Sequence, residues 1–449
     1  MTFVVTDSVK TYKTEREGDG MRIVTLTEET KTGLLQSLLK RSPGHYGNYE
    51  STVADIIGKV REQGDAALFS YTKEFDHCDM DGSRVRVTED EIRDAYETLE
   101  PEFVEVMKKA AGNIRAYHEK QIRNSWIDVK EDGSILGQKI TPIGRAGVYV
   151  PGGKAAYPSS VLMNVIPART AGVPEIIMTT PPDMTGRVNP GTLVAAHIAG
   201  VDTVYKAGGA QAIAAMAFGT ESIPKVDKIT GPGNIFVALA KKAVYGYVSI
   251  DSIAGPSEIL VLADETANPR YVAADLLSQA EHDELASAIL ITTSKALAEQ
   301  VQSQIEQFLT RLSRADIIRK SLENYGYILV AEDVDTAAAA ANEIASEHLE
   351  ILMKNPFEVM TKIKNAGAIF LGEYSSEPLG DYFAGPNHIL PTNGTARFFS
   401  PLSVDDFIKK SSIISYSAGA LGAVHKDIEL FARKEGLTAH ENSIKVRFE

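Results

Sequence analysis

From about Ile143 onward, short runs of β-branched residues alternate with stretches whose apolar residues recur at helical spacing. This alternation is typical of βα units, in which a helix connects each strand to the next parallel strand. It therefore predicts an α/β fold built on parallel sheets. The predicted strands of a first series are Ala146–Val150, Glu175–Thr179, Thr203–Lys206 and Asp227–Thr230, and those of a second series are Ile259–Leu262, Ala288–Thr292, Gly326–Val330, His348–Leu352 and Ala368–Leu371.

Helices are predicted between the strands and before them. Ser159–Ala171 and Pro190–Ala199 are expected to be helices of the first series. Residues 25–125 are expected to be mainly helical, because Val53–Phe69 and Glu89–Tyr117 show apolar positions at helical spacing among many charges.

The C-terminal part of the chain has a different texture. Beyond Leu379 it is rich in Gly, Pro and Ser and is expected to be irregular, with a short helix at Lys426–Glu435 and an extended tail. The whole pattern predicts two tandem α/β domains of an incomplete Rossmann-like type, without the fingerprint G-x-G-x-x-G. The expected organisation is a disordered extension over residues 1–20, a mainly helical region over 21–141, a first Rossmann-like domain over 142–250, a second over 251–379, and a loop, short helix and tail over 380–449.

Composition and charge exclude several classes of function. The chain has 449 residues, 24% of them charged and 44% hydrophobic, which is ordinary for a globular protein with a large core. Its net charge of −14 argues against sequence-independent binding to nucleic acid or to an anionic membrane surface. No apolar run reaches the length of a membrane helix, and Met1–Gly20 lacks the apolar core of a signal peptide.

Cys78 is the only cysteine in the sequence. A disulfide framework is therefore excluded, and a reducing cytoplasmic location is expected. A zinc site could not use a cysteine cluster. Because Cys78 lies far in the sequence from the other motifs, an aldehyde-oxidising enzyme of this kind would have to use water instead of a cysteine nucleophile.

Leu277–Asp283 is the most informative stretch for chemistry. It is predicted to be helical, so Gln279 and His282, three residues apart, would project from one face. Further histidines and acids follow in the motifs Ser346–Leu349, Gly380–His388 and Glu435–His440. Together they offer metal ligands of the histidine and aspartate type and a Glu-His pair that could move protons, which favours a zinc enzyme with separate base chemistry.

Each of these residues also has an ordinary structural explanation. A single histidine on a helix usually faces solvent or is satisfied in a core, and glutamine is a rare zinc ligand. Glu347–His348 could mark a helix end, where a protonated imidazole is favourable. Glu435 and His440 could belong to a solvated tail, so residue type alone leaves both interpretations open.

Glycine-rich loops follow several predicted strands. Gly147–Gly153 and Gly208–Ala212 could present backbone N–H groups to a phosphate, although a tight structural turn is the more frequent explanation. Gly231–Asn234 and Ala254–Glu258 are similar loops at strand ends, where ligands of α/β sheets usually bind. Turn chemistry explains these polar residues equally well.

The motifs also have a recognisable order along the chain. They are Gly147–Gly153, Pro158–Asn164, Gly208–Ala212, Gly231–Asn234, Gly255–Glu258, Ser278–Asp283, Ser346–Leu349, Gly385–His388 and Glu435–His440. In this order and spacing they resemble the motifs of the histidinol dehydrogenases. The resemblance covers nearly everything from Met21 to Phe448.

This resemblance implies an NAD- and zinc-dependent enzyme that catalyses the last steps of histidine biosynthesis. It would oxidise L-histidinol to L-histidinaldehyde and then to L-histidine, a four-electron oxidation that reduces NAD⁺ twice. Family members are homodimers with one Zn²⁺ per subunit, in which an exchanged C-terminal tail completes the partner's site. The implied partners are therefore the small substrate and a second copy of the chain.

The resemblance also implies roles for individual residues. The implied zinc ligands are Gln279, His282, Asp381 and His440. These four are also implied to contact the substrate, together with Ser257, His348, His388 and Glu435. The implied NAD contacts are Tyr149, Gln211 and Asn234.

Glu347 and His348 are the implied catalytic residues. Histidine ordinarily has a pKa of about 6.5, so His348 would take the alcohol proton while hydride leaves for NAD⁺. Glu347 would then activate water on the aldehyde, and His348 would act again as the base for the second hydride transfer. Zinc would bind substrate nitrogens and act as an orienting template.

Other functions are compatible with parts of this pattern. A related NAD-dependent dehydrogenase could act on another small primary alcohol. A zinc hydrolase could use Glu347 or His348 as its base, although tandem βα domains and glycine loops argue against it. A non-catalytic metal-binding protein would leave the Glu-His pair idle.

Overall fold

The computed structural model describes residues 21–39, 47–152, 157–253 and 255–449. The extension predicted over residues 1–20, together with Gly153 and Ala254 of the glycine-rich loops, lies outside these described residues. The chain divides into two compact units, which are each assembled from several segments, whereas the predicted domains are contiguous. Unit 1 contains the described residues up to 39, residues 255–379 and Leu390–Pro401, and unit 2 contains the described residues 47–253, Gly380–Ile389 and Leu402–Glu449.

Strands and helices alternate along most of the chain. The strands are β1 (Arg22–Thr25), β2 (Trp126–Val129), β3 (Ile135–Pro142), β4 (Arg145–Tyr149), β5 (Glu175–Thr180), β6 (Thr203–Lys206), β7 (Lys228–Thr230), β8 (Ser249–Ile250), β9 (Glu258–Ala263), β10 (Ser287–Thr292), β11 (Gly326–Val330), β12 (His348–Leu352), β13 (Ala368–Leu371) and β14 (Ile408–Ser415). The helices are α1 (Glu28–Leu39), α2 (Gly47–Gln63), α3 (Asp65–Phe75), α4 (Glu89–Thr98), α5 (Pro101–Glu119), α6 (Pro158–Thr170), α7 (Pro190–Ala199), α8 (Gly209–Phe218), α9 (Ile235–Val244), α10 (Pro269–Ala280), α11 (Lys295–Leu309), α12 (Ala315–Tyr325), α13 (Val334–Ile344), α14 (Pro356–Met360), α15 (Glu377–Leu379), α16 (Ala418–Lys434) and α17 (Thr438–Lys445).

Unit 1 is built on a six-stranded parallel sheet in the order β1-β11-β10-β9-β12-β13. Strands β9, β10 and β12 are buried along their whole length, as expected when helices cover both faces of a parallel sheet. The register places His348 beside Ile259. The amino ends of β9 and β12 therefore lie side by side.

Unit 2 contains a five-stranded parallel sheet in the order β6-β5-β4-β7-β8. Helix α8 begins three residues after β6, and α9 begins after the loop that follows β7. Asn234 starts α9, because its side-chain oxygen accepts the N–H groups of Phe236 and Val237. The N-termini of both helices are thereby placed at the carboxyl edge of this sheet.

All nine predicted strands are present, and each observed end lies within one residue of the predicted end. The α/β class with parallel sheets is therefore confirmed. Three features were not predicted, namely the edge strand β1 of unit 1, the edge strand β8 of unit 2, and an antiparallel sheet of unit 2 in the order β14-β3-β2. Pro142 of β3 pairs with Ile408 of β14, and a pairing between segments so far apart in sequence has no local signal.

Two predicted helices are divided in the structure. Val53–Phe69 is interrupted at Gly64, whose φ of 55° ends the regular helix between α2 and α3. Glu89–Tyr117 is interrupted before Pro101, which occupies the first turn of α5. Proline suits that position because it has no N–H to donate inside a helix.

The C-terminal part contains more helix than predicted. The helix expected at Lys426–Glu435 already begins at Ala418, where Ser417 accepts the N–H of Ala420 as a cap. The extended tail is wrong, because Thr438–Lys445 forms a second helix.

Apolar side chains pack between the sheets and their helices in both units. Two buried clusters belong to unit 1, and two belong to unit 2. Over the described ranges, no helix combines the length and the apolar character that crossing a membrane requires.

Candidate active site

Unit 1 places acidic and imidazole side chains at the amino ends of two neighbouring strands. Glu258 is the first residue of β9, and His348 is the first residue of β12. Glu347 directly precedes β12. The exposed fractions are 3% for Glu258, 3% for His348 and 8% for Glu347. Because water hardly reaches these side chains, their polar groups need partners within the protein.

Hydrogen bonds fix the orientation of this group. The N–H of Glu258 donates to Oε2 of Glu347 over 2.9 Å, and the N–H of Glu347 donates to Oε2 of Glu258 over 3.4 Å. Nδ1 of His348 lies 3.0 Å from the carbonyl oxygen of Glu258. Because a carbonyl oxygen only accepts, Nδ1 carries the proton, and Nε2 of the neutral ring is the atom that can take another.

Glu377 belongs to the same group but was not found in the sequence analysis. It is 2% exposed, and a carboxylate oxygen of Glu377 lies within 4.8 Å of a ring nitrogen of His348. The hydroxyl of Ser278 donates to Oε2 of Glu377 over 3.0 Å. An imidazole and a carboxylate at this separation are suitable ligands for a divalent cation.

Gln279 and His282 lie at the end of α10. Gln279 is 1% exposed, and its Oε1 accepts no hydrogen bond from the part of the chain that the structure describes. The predicted helix over Leu277–Asp283 is wrong beyond Ala280, because the chain turns there and the N–H of His282 donates to the carbonyl of Gln279. The exposed ring of His282 places Nδ1 3.4 Å from the hydroxyl oxygen of Ser257.

A buried acid pair supports these residues. Glu350 is the third residue of β12, so its side chain is on the same face as that of His348. Its Oε1 accepts the N–H of Glu377 over 2.8 Å. Burial, with the adjacent carboxyl of Asp275, raises the pKa of Glu350 well above its usual value, and burial raises the pKa of Asp275 to about 6. The pair therefore retains a proton near neutral pH.

In unit 2, a short π-helical turn over Gly380–Ala384 and the loop that follows it bring Asp381 and His388 together. Nδ1 of His388 lies 3.1 Å from the carbonyl oxygen of Asp381 and 3.9 Å from its Oδ1. Nε2 of the same ring lies 3.3 Å from the hydroxyl oxygen of Ser160. At Gly385, which has a φ of 113°, a Cβ would come within 2.7 Å of the carbonyl oxygen of Asn113. This close backbone packing holds the loop in place.

Tyr149, Gln211 and Asn234 all lie at the carboxyl edge of the parallel sheet of unit 2. Tyr149 ends β4, Gln211 is in the first turn of α8, and Asn234 caps α9. The hydroxyl oxygen of Tyr149 accepts the N–H of Gly209 over 3.1 Å. Burial raises the pKa of Tyr149 to about 12, so the phenol stays protonated and can also donate.

Gln211 is the member of this group that most suggests a ligand. It is 1% exposed, and neither polar atom of its amide has a hydrogen-bond partner within the described ranges. Buried polar groups are nearly always satisfied, so such an amide indicates a missing partner. Gly209 has a φ of 64°, and a Cβ there would lie 2.6 Å from Oε1 of Gln211. The loop thus offers N–H groups and an amide to a phosphate-bearing ligand.

Glu435 and His440 are both exposed. Glu435 follows the last residue of α16, and His440 is the third residue of α17. Both side chains are therefore accessible to a ligand or to another chain.

The chain matches proteins of a known type over most of its length. The family described as histidinol dehydrogenase matches residues 39–448. The histidinol dehydrogenase of Halalkalibacterium halodurans is 60% identical over 400 residues, covering 89% of this chain and 94% of that protein. The histidinol dehydrogenase of Geobacter sulfurreducens is 52% identical over 428 residues, covering 95% of this chain and 100% of that protein.

A solved structure agrees with these matches. The crystal structure of histidinol dehydrogenase from Elizabethkingia anophelis has a TM-score of 0.90 and 39% sequence identity, and the match covers 95% of this chain and 98% of that one. The α/β fold and the sequence motifs therefore point to the same family.

Proposed function

The chain belongs to the histidinol dehydrogenase family, and on this premise we propose that it oxidises L-histidinol to L-histidine through L-histidinaldehyde, using NAD⁺ and Zn²⁺. Membership makes it an oxidoreductase of histidine biosynthesis. The observation that carries the proposal is the buried Glu347–His348 pair at the start of β12. There the carbonyl of Glu258 holds a proton on Nδ1 of His348, which leaves Nε2 as the basic atom.

His348 is the proposed base of the first oxidation. Nε2 would take the hydroxyl proton of histidinol while the carbon-bound hydrogen leaves as hydride, for which a bound NAD⁺ would supply the acceptor. The hydrogen bond from Nδ1 to the Glu258 carbonyl stabilises the imidazolium that forms. The proton must leave His348 before the second oxidation, and the neighbouring carboxylate of Glu347, 3.6 Å from Nδ1, favours the charged ring in the meantime.

Glu347 is the proposed base for water addition. Its carboxylate would take a proton from a water molecule that attacks the aldehyde carbon, while the imidazolium of His348 would return its proton to the aldehyde oxygen, giving the hydrate. The N–H of Glu258 donates to Oε2 of Glu347 and so holds that oxygen in place. The neutral His348 would then take a hydroxyl proton of the hydrate as the second hydride leaves for a second NAD⁺, and L-histidine would be formed.

We propose Gln279, His282, Asp381 and His440 as the zinc ligands, with one ion per subunit. The buried, unpartnered Oε1 of Gln279 supports this set, because a cation would satisfy that oxygen. Zinc would supply a Lewis-acidic anchor for the substrate nitrogens. Glu377 is a further candidate for the metal site, since its carboxylate lies close to the imidazole of His348.

We propose a Rossmann-like character for both parallel sheets and a dinucleotide site in unit 2. The strand order of each sheet supports this, because renumbering from β4 or from β9 gives the doubly wound order 3-2-1-4-5. Tyr149, Gln211 and Asn234 are the proposed NAD contacts. The unsatisfied amide of Gln211 is the strongest support among them.

The remaining proposed substrate contacts are Ser257, His388 and Glu435, together with His348. Ser257 lies beside the ring of His282, and His388 lies beside Asp381. Histidinol carries an amino group and an imidazole, so acids and imidazoles are suitable partners for both ends.

We propose that the protein is a homodimer in which the C-terminal tail completes the site of the partner subunit. Exposed apolar side chains on β14, on α16 and directly after α17 support an interface there. Ile414, Phe431 and Val446 have exposed fractions of 72%, 68% and 50%, which a second copy would cover. Exposed Glu435 and His440 lie on the same segment. A cytoplasmic location is proposed from the single cysteine.

The decisive assay follows absorbance of NADH after histidinol is added to the protein with NAD⁺, before and after chelation. The expected result is two NADH per histidinol and loss of activity on chelation. NADH formation with another primary alcohol but not with histidinol would instead indicate a related dehydrogenase. Failure to form NADH from any alcohol would contradict the proposal.

A further inference from the structure

Unit 2 contains a buried ion pair that has no role in the chemistry described so far. Nζ of Lys241 contacts Oδ1 of Asp251, and their side chains are only 3% and 4% exposed. Lys241 lies in the second turn of α9, and Asp251 directly follows β8. The pair thus joins a helix to the edge strand of the parallel sheet.

Both members of the pair also bind the backbone of one glycine. Nζ of Lys241 donates to the carbonyl oxygen of Gly231 over 2.9 Å. Oδ2 of Asp251 accepts the N–H of Gly231 over 2.8 Å. Gly231 is the first residue after β7, so its two backbone polar groups are both held by buried charges.

The Cα of Gly231 also packs against the backbone of β4. Gly231 has a φ of 117°, and a Cβ there would lie 1.9 Å from the carbonyl oxygen of Tyr149. The residue is therefore fixed between Tyr149 and the Lys241–Asp251 pair. Three residues later, Asn234 caps the start of α9.

Stability alone is a weak explanation for this arrangement. Removing two charges from water has a large cost, and well-packed apolar residues of similar volume usually stabilise a core as well or better. What an apolar pair could not do is bind the N–H and the carbonyl of Gly231 at once. The pair is suited to setting the path of the loop from β7 to α9.

We propose that Lys241 and Asp251 are positioning residues for the dinucleotide, which hold the Gly231–Asn234 loop so that Asn234 and Tyr149 present their polar groups to one ligand. This inference rests on the proposed NAD-dependent function. The two residues do not themselves contact the ligand. Removing the pair should therefore weaken the binding of NAD⁺ and change the binding of histidinol only slightly.

The test compares Lys241→Met, Asp251→Asn and the double variant Lys241→Met/Asp251→Leu with Lys242→Met. Lys242 is the matched control, because it is the next residue on α9 but forms an exposed ion pair with Glu50. The double variant removes both charges and so avoids an uncompensated buried charge, which could prevent folding of a single variant. Asp251→Asn keeps an acceptor for Gly231.

For each variant the KM for NAD⁺, the KM for histidinol, the affinity for NADH by fluorescence and the Tm are measured. In Lys241→Met and the double variant, the KM for NAD⁺ is expected to rise about tenfold or more, because buried backbone groups lose their partners. The KM for histidinol should stay within about twofold of the control. Asp251→Asn should lie between the control and these variants.

The proposal is overturned if the folded double variant binds NADH as tightly as the Lys242→Met control. It is also overturned if both KM values rise together as the Tm falls, since that would show a purely structural role. An absence of NAD⁺ reduction by the wild-type protein would instead contradict the proposed function itself, so the two failures are distinguishable.

Discussion

Apart from the additional edge strand β1 of unit 1, the two parallel sheets share a strand order, but they carry their candidate residues at opposite ends. In unit 2, Tyr149 and Gly231 lie at the carboxyl ends of β4 and β7. In unit 1, Glu258 and His348 lie at the amino ends of β9 and β12. In each sheet these two strands are the neighbours at which the strand order reverses. Both units therefore carry candidate residues at the same topological position, unit 2 at the carboxyl ends of the strands and unit 1 at the amino ends.

Helix dipoles give this difference a physical meaning. Helices leave the carboxyl edge of a parallel sheet with their N-termini there, and the partial positive charge of those termini suits phosphates. At the amino edge helices end instead, as α13 ends at Ile344 and α10 at Ala280 in unit 1. Partial negative charge at helix C-termini favours cations. The carboxyl edge of unit 2 is thus suited to a dinucleotide, and the amino edge of unit 1 to a metal and an imidazolium.

The largest effect should come from the amino edge of unit 1. His348→Asn is expected to lower oxidation of both histidinol and histidinaldehyde by about 10²- to 10⁴-fold, since a general base is lost. Glu347→Gln should slow aldehyde oxidation far more than alcohol oxidation, because only the second step needs activated water. Rates are measured with each substrate separately. If Glu347→Gln lowered the rates of both steps equally, the proposed division of roles between Glu347 and His348 would be wrong.

Metal removal should have the next largest effect. Chelation, or His282→Asn, is expected to remove most activity while circular dichroism shows the fold retained. His197→Asn is the matched control, because His197 bonds Tyr96 on α4 and belongs to no proposed site. Re-addition of Zn²⁺ should restore the chelated wild type. Full activity in protein shown to be metal-free would mean that the amino edge does not hold a cation.

The third prediction asks whether a second copy completes the site. A mixture of His440→Asn and His348→Asn chains should recover activity on subunit exchange, because one site of each heterodimer carries neither lesion. With equal mixing, about a quarter of the sites would be intact. Each variant alone should be nearly inactive. If confirmed heterodimers are no more active than the separate variants, the site is built within one chain.

The smallest effect concerns Asp76 in unit 2, where burial raises the pKa to about 6. Its Oδ2 has no hydrogen-bond partner among the described residues. Because the pKa is raised on folding, the native state binds more protons than the unfolded chain, and stability falls as pH rises from about 4 to about 6. Above about pH 6 the loss of stability caused by the buried Asp76 carboxylate no longer changes with pH.

Asp76→Asn should therefore stabilise the protein at pH 7 but not at pH 4. A shift of this size corresponds to about 3 kcal/mol, which partial exposure reduces to about 1 kcal/mol. Urea unfolding at both pH values measures it. Asp79→Asn is the control, since Asp79 is exposed beside Lys73. A gain that is equal at the two pH values would exclude titration as the cause.

Most strands of the two parallel sheets could be predicted because they are largely buried and rich in branched apolar residues. The short edge strands β1 and β8 lack this signal, because each contains exposed residues. Glu347 and His348 could also be found, since an acid and a histidine open one such strand. One available signal was missed. Glu350 is an acid in the middle of the same buried strand, and such a residue requires a partner, here Asp275.

Other features had no usable signal in the sequence. Glu377 precedes Pro378 in a stretch that resembles an ordinary turn, and its nearness to His348 depends on the path of the whole chain. The end of α10 at Ala280 was missed because no glycine or proline marks it. The pairing of β3 with β14 depends on two segments of unit 2 that are far apart in the sequence.

The discontinuity of the two units has a consequence for biosynthesis. The last strand of unit 2, β14, pairs with β3, whereas every described segment of unit 1 ends by Pro401. A ribosome therefore delivers all of unit 1 before it delivers β14. Since domains generally fold as units during synthesis, unit 1 can close while unit 2 is still incomplete. During that interval one edge of β3 lacks its partner strand, and unpaired edges invite association with other chains. Nascent chains of this length are thus expected to depend on chaperones chiefly for unit 2.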